Sequence, residues 1–179
     1  MRELYGLLAL VFCSVVQGQT FPSQPVRIVV AFPPGGSTDI TARLVAPKLS
    51  EMWKQPVLVE NKPGAGANIG TDYVAKSAPD GHTMLLATTA FAVSAAVYEK
   101  LPYDPLKDLA PVVFVSSIPN LLVVNPALPA STPKDFVQYA RANVGKLSFS
   151  SPGPATGQRL AFELVKQAAG IDFLHVPYK

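Results

Sequence analysis

The feature that most constrains this chain is the β-branched run Val26-Arg27-Ile28-Val29-Val30, which breaks at Pro33-Pro34-Gly35-Gly36 and opens at once into a periodic segment from Ser37 to Trp53. Such a run reads as a strand covered on both faces, as in a parallel sheet. Pro33 and Pro34 cannot donate to a ladder and end it. Gly35 and Gly36 let the backbone turn and approach another molecule closely. Ser37 or Thr38 can cap the helix that follows, and Asp39 falls in its first turn, where the helix dipole favours a negative charge. A strand, a glycine turn and a helix start of this kind point unpaired N–H groups outward and can seat an anion. The motif is neither a G-x-G-x-x-G fingerprint nor a phosphate loop. Taken alone, it reads more readily as a plain capped β-to-α turn than as a ligand site.

The same alternation continues. The spacing predicts a helix to Trp53 with Ile40, Leu44, Pro47 and Met52 as its apolar stripe, kinked at Pro47. A strand over 56–61, a glycine turn over 62–70, a helix over 71–78, a strand over 82–89 and a helix over 90–98 follow. This order predicts an α/β domain with a largely parallel sheet. Two apolar strands are expected over 112–117 and 120–125, and extended chain between two lobes makes a hinge there. Thr132, Pro133 and Asp135 form a helix start, and that helix runs to about Asn143. A strand over 147–151, the turn Pro152 to Gly157 and a helix over 158–170 then repeat the opening device. Leu160, Ala161, Leu164, Val165 and Ala168 share one face of that last helix, and Gly170 stops it. The expected organisation is the first part of one lobe from 19 to 117, then the hinge and an incomplete second lobe from 118 to 179. Two strand-turn-helix units facing one another across a cleft would clamp an anion from both sides, which brings the ligand reading level with the plain-turn reading.

Composition narrows the function. Arg2, an apolar stretch from Leu7 to Val16 and the small or tolerated residues Val16-Gln17-Gly18 have the layout of a secretory signal peptide over 1–18, so export is expected. The single cysteine, Cys13, lies inside that segment, and Phe12 beside it does not suit lipid anchoring. Hydrophobic residues at 49% against 15% charged describe a chain with a sizeable core. The formal charge of +3 is carried by lysines scattered singly among acids, without a basic run interleaved with aromatics, so nucleic acid is not an expected partner. Only two histidines, His82 and His175, are present to act as bases, and Ser37 lacks a nucleophile elbow. Neither a catalytic constellation nor a metal site is expected.

The segments "FPSQPVRIVVAFPPGGSTDITARLVAPKLSE", "QPVLVENKPGAGANIGTDYVAKSAPDGHTMLLATT", "YEKLPYDPLKDLAPV" and "HVPYK" resemble the tripartite tricarboxylate transporter substrate-binding proteins, also called the Bug family. The resemblance runs in unbroken order from about Phe21 to Lys179. It implies a periplasmic-binding-protein-like α/β fold of type II, with two lobes, mostly parallel sheets and a hinge. It also implies a periplasmic monomer without cofactor or catalysis that captures a small organic carboxylate and presents it to the membrane subunits of a transporter. Carried over residue by residue, the first loop of the site is Pro34, Gly35, Gly36, Ser37, Thr38 and Asp39. Thr88 and Thr89 line the same cleft, and the second loop supplies Ser151, Gly153, Ala155, Thr156 and Gly157. Asp39 is left with two roles, orienting waters or the helix start, or meeting an amine on an amino-acid ligand. Departures from the family pattern stand at Arg159, where His is common, at Phe91 and Ser94, where His and Asn are expected, and in the stiffer turn "PGPATG". Chains of the family continue past this point for about as much again, so an N-terminal fragment with an incomplete second lobe is expected. A truncated non-binding paralogue, a partner-interaction domain and a carboxylate sensor on the same fold are the alternatives.

Overall fold

The computed structural model describes residues 20–178. The expected signal peptide lies outside them. Strand β1 (Val26–Val30) occupies the centre of a three-stranded parallel sheet, between β2 (Val57–Asn61) and β3 (Thr83–Leu85). Its register sets Ile28 against Val59 on one side and Met84 on the other. Helix α1 (Ser37–Trp53) covers this sheet: Ala42 and Ala46 pack with Val26, Ile28, Val30 and Val57, and Leu49 and Trp53 close the edge.

The expected apolar stripe of α1 is not its buried face. Ile40, Leu44 and Met52 are 51%, 70% and 73% exposed. The helix meets the sheet through alanines because small side chains admit the closest approach, and that choice turns the larger residues outward. The helix runs unbroken through Pro47, which lies on its exposed side.

After β2 the chain tightens instead of making the long turn expected. Gly64, Ala65, Gly66 and Ala67 all have positive φ, and helix α2 (Asn68–Ala75) begins at Asn68 rather than Thr71. Strand β3 is likewise shorter than the expected 82–89. Leu86 still donates to the Val29 carbonyl, but Thr88 then turns to cap α3 (Thr89–Val97).

The second α/β unit comprises α4 (Pro133–Ala142), β4 (Ser148–Ser151), α5 (Gly157–Ala169) and β5 (Leu174–Pro177), with β4 and β5 parallel and Phe149 opposite His175. Thr132 caps α4 in a full capping box with Asp135, as its sequence predicts. The core here is Phe136, Ala140, Phe162, Ile171 and Phe173. Phe162 stacks on Phe149 with ring centroids 3.9 Å apart, and this aromatic stack decides which face of α5 is buried. The expected face is therefore corrected: Leu160, Leu164 and Val165 are 47%, 58% and 37% exposed.

The strands expected over 112–117 and 120–125 do not form among the described residues. This stretch is exposed chain linking the two units, with Phe114 80% and Leu121 83% exposed. Strand character needs a neighbour to satisfy alternate backbone groups, and none of the described strands runs beside it.

Candidate functional site

Because β1, β2 and β3 are parallel, their C-terminal ends reach one edge of the sheet, where ligands of open α/β sheets bind. The loop after β1 is built there by Asp39. Its Oδ2 accepts hydrogen bonds from the Gly35 amide at 2.9 Å and from Arg43 Nε at 2.9 Å, and its Oδ1 accepts one from Asn61 Nδ2 at 2.9 Å. Asn61 also donates to the Phe32 carbonyl, and Arg43 Nη2 donates to Asn61 Oδ1, so a closed triangle of side chains ties the end of β2 to the start of α1. Hydrogen bonds from Arg43, then from the Gly35 amide and Asn61, hold the Asp39 carboxyl well below the usual carboxylate range.

The cap expected from Ser37 or Thr38 is absent. Gly36 is the N-cap, no side chain accepts from the first amides, and Ser37 and Thr38 lie within the first turn. Asp39 makes a side-chain cap unnecessary by fixing the turn through Gly35. The amides that open α1 consequently have no helical partner, and Pro33 to Ser37 are exposed beside them. Gly35 needs its missing side chain for another reason: its φ of +88° is costly for any other residue.

The second loop is closed more tightly. Ser151, Ala155 and Thr156 are buried, and the hydroxyls of Ser151 and Thr156 both donate to the Gly153 carbonyl at 2.9 Å. Thr156 also caps α5 by accepting from the Arg159 amide. Behind Ser151 lies His175, with Nε2 at 2.8 Å from Ser151 Oγ and Nδ1 at 2.8 Å from Arg159 Nη1. A guanidinium can only donate, so Nδ1 is the acceptor, and Nε2 carries the hydrogen and donates to Ser151. Burial and then the Arg159 charge push the His175 ring below its ordinary value, which keeps it neutral. In this tautomer Nε2 cannot take a proton from Ser151, so the pair does not have the arrangement of a serine nucleophile and its base.

The two units meet where α3 and α5 begin. A side chain on Gly157 would collide with Thr89 Oγ1 and stand 3.1 Å from Thr89 Cβ, and one on Gly66 would stand 3.2 Å from Tyr98 Oη and 3.6 Å from Ala155 Cβ. Thr88 caps α3 by accepting the Ala90 amide, and with Ala31 and Phe32 it lines one small cavity under the first loop. The structure thus sets Thr89 against Gly157 and Ala155 beside Gly66, and keeps Thr88 with Ala31 and Phe32, under the first loop at the same edge of the first sheet as Pro34 to Asp39. Among the described residues no cluster of three or more His, Cys, Asp or Glu could hold a metal ion.

A family model described as the tripartite tricarboxylate transporter family receptor matches residues 41–179. The chain belongs to this receptor family. BugT of Bordetella pertussis is 39% identical over 166 residues, which cover 92% of this chain and 51% of BugT. A Rhodopseudomonas palustris protein solved with adipate superposes with a TM-score of 0.84 at 36% identity, over 89% of this chain and 54% of that one. MatC of the same organism, solved with bound malate, gives 0.77 at 33% identity, over 88% and 54%. The architecture expected of a periplasmic binding protein, α/β with parallel sheets, is therefore the one observed. This chain spans about half the length of the curated relatives it matches.

Asn61, Arg43, Arg159 and His175 make the hydrogen bonds that hold the two loops and are not among the ligand-binding candidates read off the sequence, where Arg159 stood only as a departure from the family pattern and His175 only as a candidate base. Asn61 and His175 each had a signal. Asn61 ends a parallel strand, where a polar side chain faces the loops, and His175 lies directly across from Phe149, two positions before Ser151. Arg43 is one helical turn from Asp39 and was legible as its i,i+4 partner.

Proposed function

We propose that this chain belongs to a periplasmic solute receptor that takes a small organic acid by its carboxylate and delivers it to the membrane subunits of a tripartite tricarboxylate-type transporter, without turning it over. The observation that carries the reading is the start of α1: its first amides have no side-chain cap and sit exposed behind Gly35 and Gly36. An anion is the partner such amides favour. The relatives solved with adipate and with malate support a carboxylate as that anion.

In this reading the residues divide by role. The amides of Gly36, Ser37 and Thr38, with the hydroxyls of Ser37, Thr38 and Thr89, reach the carboxylate from the first unit. Gly153, Ala155 and Gly157 form the opposing wall. Pro34 and Gly35 shape the turn, and Thr88 holds the start of α3. Asp39, Ser151 and Thr156 act from behind, since their polar atoms already have protein partners. Asp39 is then the brace of the helix start rather than a partner for an amine.

The test is a melting-temperature titration of the protein with a panel of mono-, di- and tricarboxylates, including adipate and malate, with their amides as controls. A ligand of the folded form raises the transition as its concentration passes Kd. The expected result is a saturable rise with at least one acid and none with its amide, with the acid recovered unchanged. A flat response to every acid, or consumption of the bound one, overturns the proposal.

A further inference from the structure

The second loop contains a chain of hydrogen bonds whose directions are all fixed from one end. Arg159 donates to His175 Nδ1, His175 Nε2 donates to Ser151 Oγ, and Ser151 donates to the Gly153 carbonyl. If Nδ1 lost its donor, the neutral ring could carry its hydrogen there instead. Nε2 would then become an acceptor, and the Ser151 proton would turn toward it and away from Gly153. The Gly153 carbonyl would keep only Thr156.

We infer that Arg159 and His175 are positioning residues for solute capture: by fixing the tautomer of His175, Arg159 fixes the proton direction of Ser151 and so the conformation of the 151–157 loop. This rests on the receptor reading above, in which that loop forms one wall of the site. The groups facing the ring are named by the packing. Arg159, Glu163 and Lys166 approach it from α5, Ser151 and Phe149 from β4, and Asp172, beside β5, is paired with Lys166. Glu163 holds Arg159 Nε at 3.2 Å and so keeps the guanidinium aimed at the ring.

A consequence separates this role from simple bracing. A protonated imidazole donates from both nitrogens, so it must donate to Ser151 whatever stands at Nδ1. Arg159→Met, which keeps the aliphatic stem and removes the donor, should therefore impair the loop while the ring is neutral. It should recover when the ring is protonated.

The experiment uses the full chain, with malate as the probe. The midpoint of His175 is first found by NMR of its ring nitrogens in each protein, and the amides of Ser151, Gly153 and Gly157 are followed in the same titration. Affinity is then measured at pH 8 and at a pH below that midpoint, variant against wild type at the same pH so that malate's own protonation cancels. Arg159→Met is expected to bind malate about 3- to 10-fold more weakly than wild type at pH 8, the size of one hydrogen bond, and within about twofold of it below the midpoint. Its ring nitrogens should report the Nδ1–H form at pH 8, and the loop amides should return to wild-type positions with the midpoint of His175. Arg159→Lys, which restores a donor, should recover affinity at pH 8.

A ring that keeps the Nε2–H form in Arg159→Met, or a loss of affinity equal at both pH values, overturns the inference. If malate binds neither protein at any pH, the positioning role is decided by the amide titration, which supports it if the amides follow His175 and refutes it if they do not. The receptor reading is decided separately by the carboxylate panel.

Discussion

Replacing Gly70 with alanine tests whether the first unit is packed as described. Gly70 lies on the face of α2 pressed against the end of β1. An added Cβ would stand 2.8 Å from Ala31 Cβ, 2.9 Å from the Lys62 carbonyl oxygen and 3.0 Å from Ala31 Cα. Two of these atoms are backbone and the third has no rotamer, so no side-chain rotation relieves the overlap. Either α2 retreats, or the end of β1 shifts and strains the hydrogen bond from the Lys62 amide to the Val30 carbonyl at 2.8 Å. Overpacking of this kind costs about 1–3 kcal/mol, and the better helix propensity of alanine offsets up to about 1 kcal/mol of it. Because all three contacts lie at or inside 3.0 Å and two are to backbone, the cost falls in the upper part of that range, and the expected net loss is about 1–2 kcal/mol, or a melting temperature lower by about 2–8 °C for a protein of this size. Urea titration should show a lower midpoint with an unchanged slope. A Gly70→Ala protein as stable as wild type, or more stable, would refute the close approach of α2 to β1 and with it the placement of Ala31 under the first loop.

Three further outcomes follow from the same geometry. Gly157→Ala inserts a methyl group between the starts of α3 and α5, where it meets Thr89, so it should cost about 1 kcal/mol or more as an overpacked contact and lower the melting temperature of the unliganded protein in a thermal scan. Asp39→Asn should lower stability at pH 7. Because the folded-state pKa of Asp39 is depressed, its contribution is complete above the unfolded value near 4 and is lost as pH falls toward the folded value, so the gap between the urea midpoints of wild type and variant should hold from pH 7 to about pH 5 and narrow progressively as pH falls below about 4. Thr132→Ala removes an N-cap and half of a capping box and should cost about 1 kcal/mol, with Thr132→Ser recovering most of it in the same urea assay.

The sequence carried the order of elements well because local chemistry decides it. Val26 to Val30 had no rival reading, and Thr132-Pro133 with Asp135 marked a helix start that needs no tertiary help. Faces were harder. Periodicity in α1 pointed to Ile40, Leu44 and Met52, yet the sheet selected Ala42 and Ala46. In α5 the position of Phe149 on the neighbouring strand selected Phe162 over Leu160 and Leu164. A helix with apolar residues on two faces does not say which one a neighbour will cover. The strands expected over 112–125 failed for a related reason: apolar β-branched content states a willingness to pair, and pairing depends on what lies alongside. At the site, the Gly-rich turns and hydroxyls were legible as motifs. Apart from the local Asp39–Arg43 pair, the triangle that Asn61 closes and the chain from Arg159 through His175 to Gly153 were not, because Asn61 and His175 come from strands distant in sequence that only the register of parallel strands brings alongside.

The central place of β1 also sets an order of events during synthesis. It is the first strand of its sheet to leave the ribosome, yet both its partners, β2 and β3, lie downstream. At ~5–20 residues per second, Val26 to Val30 wait with both edges unpaired until Val57 to Asn61 emerge, and keep one edge unpaired for several seconds in all before Thr83 to Leu85 follow. This five-residue stretch is therefore the point at which a nascent chain is most open to capture by a chaperone, or by another chain doing the same.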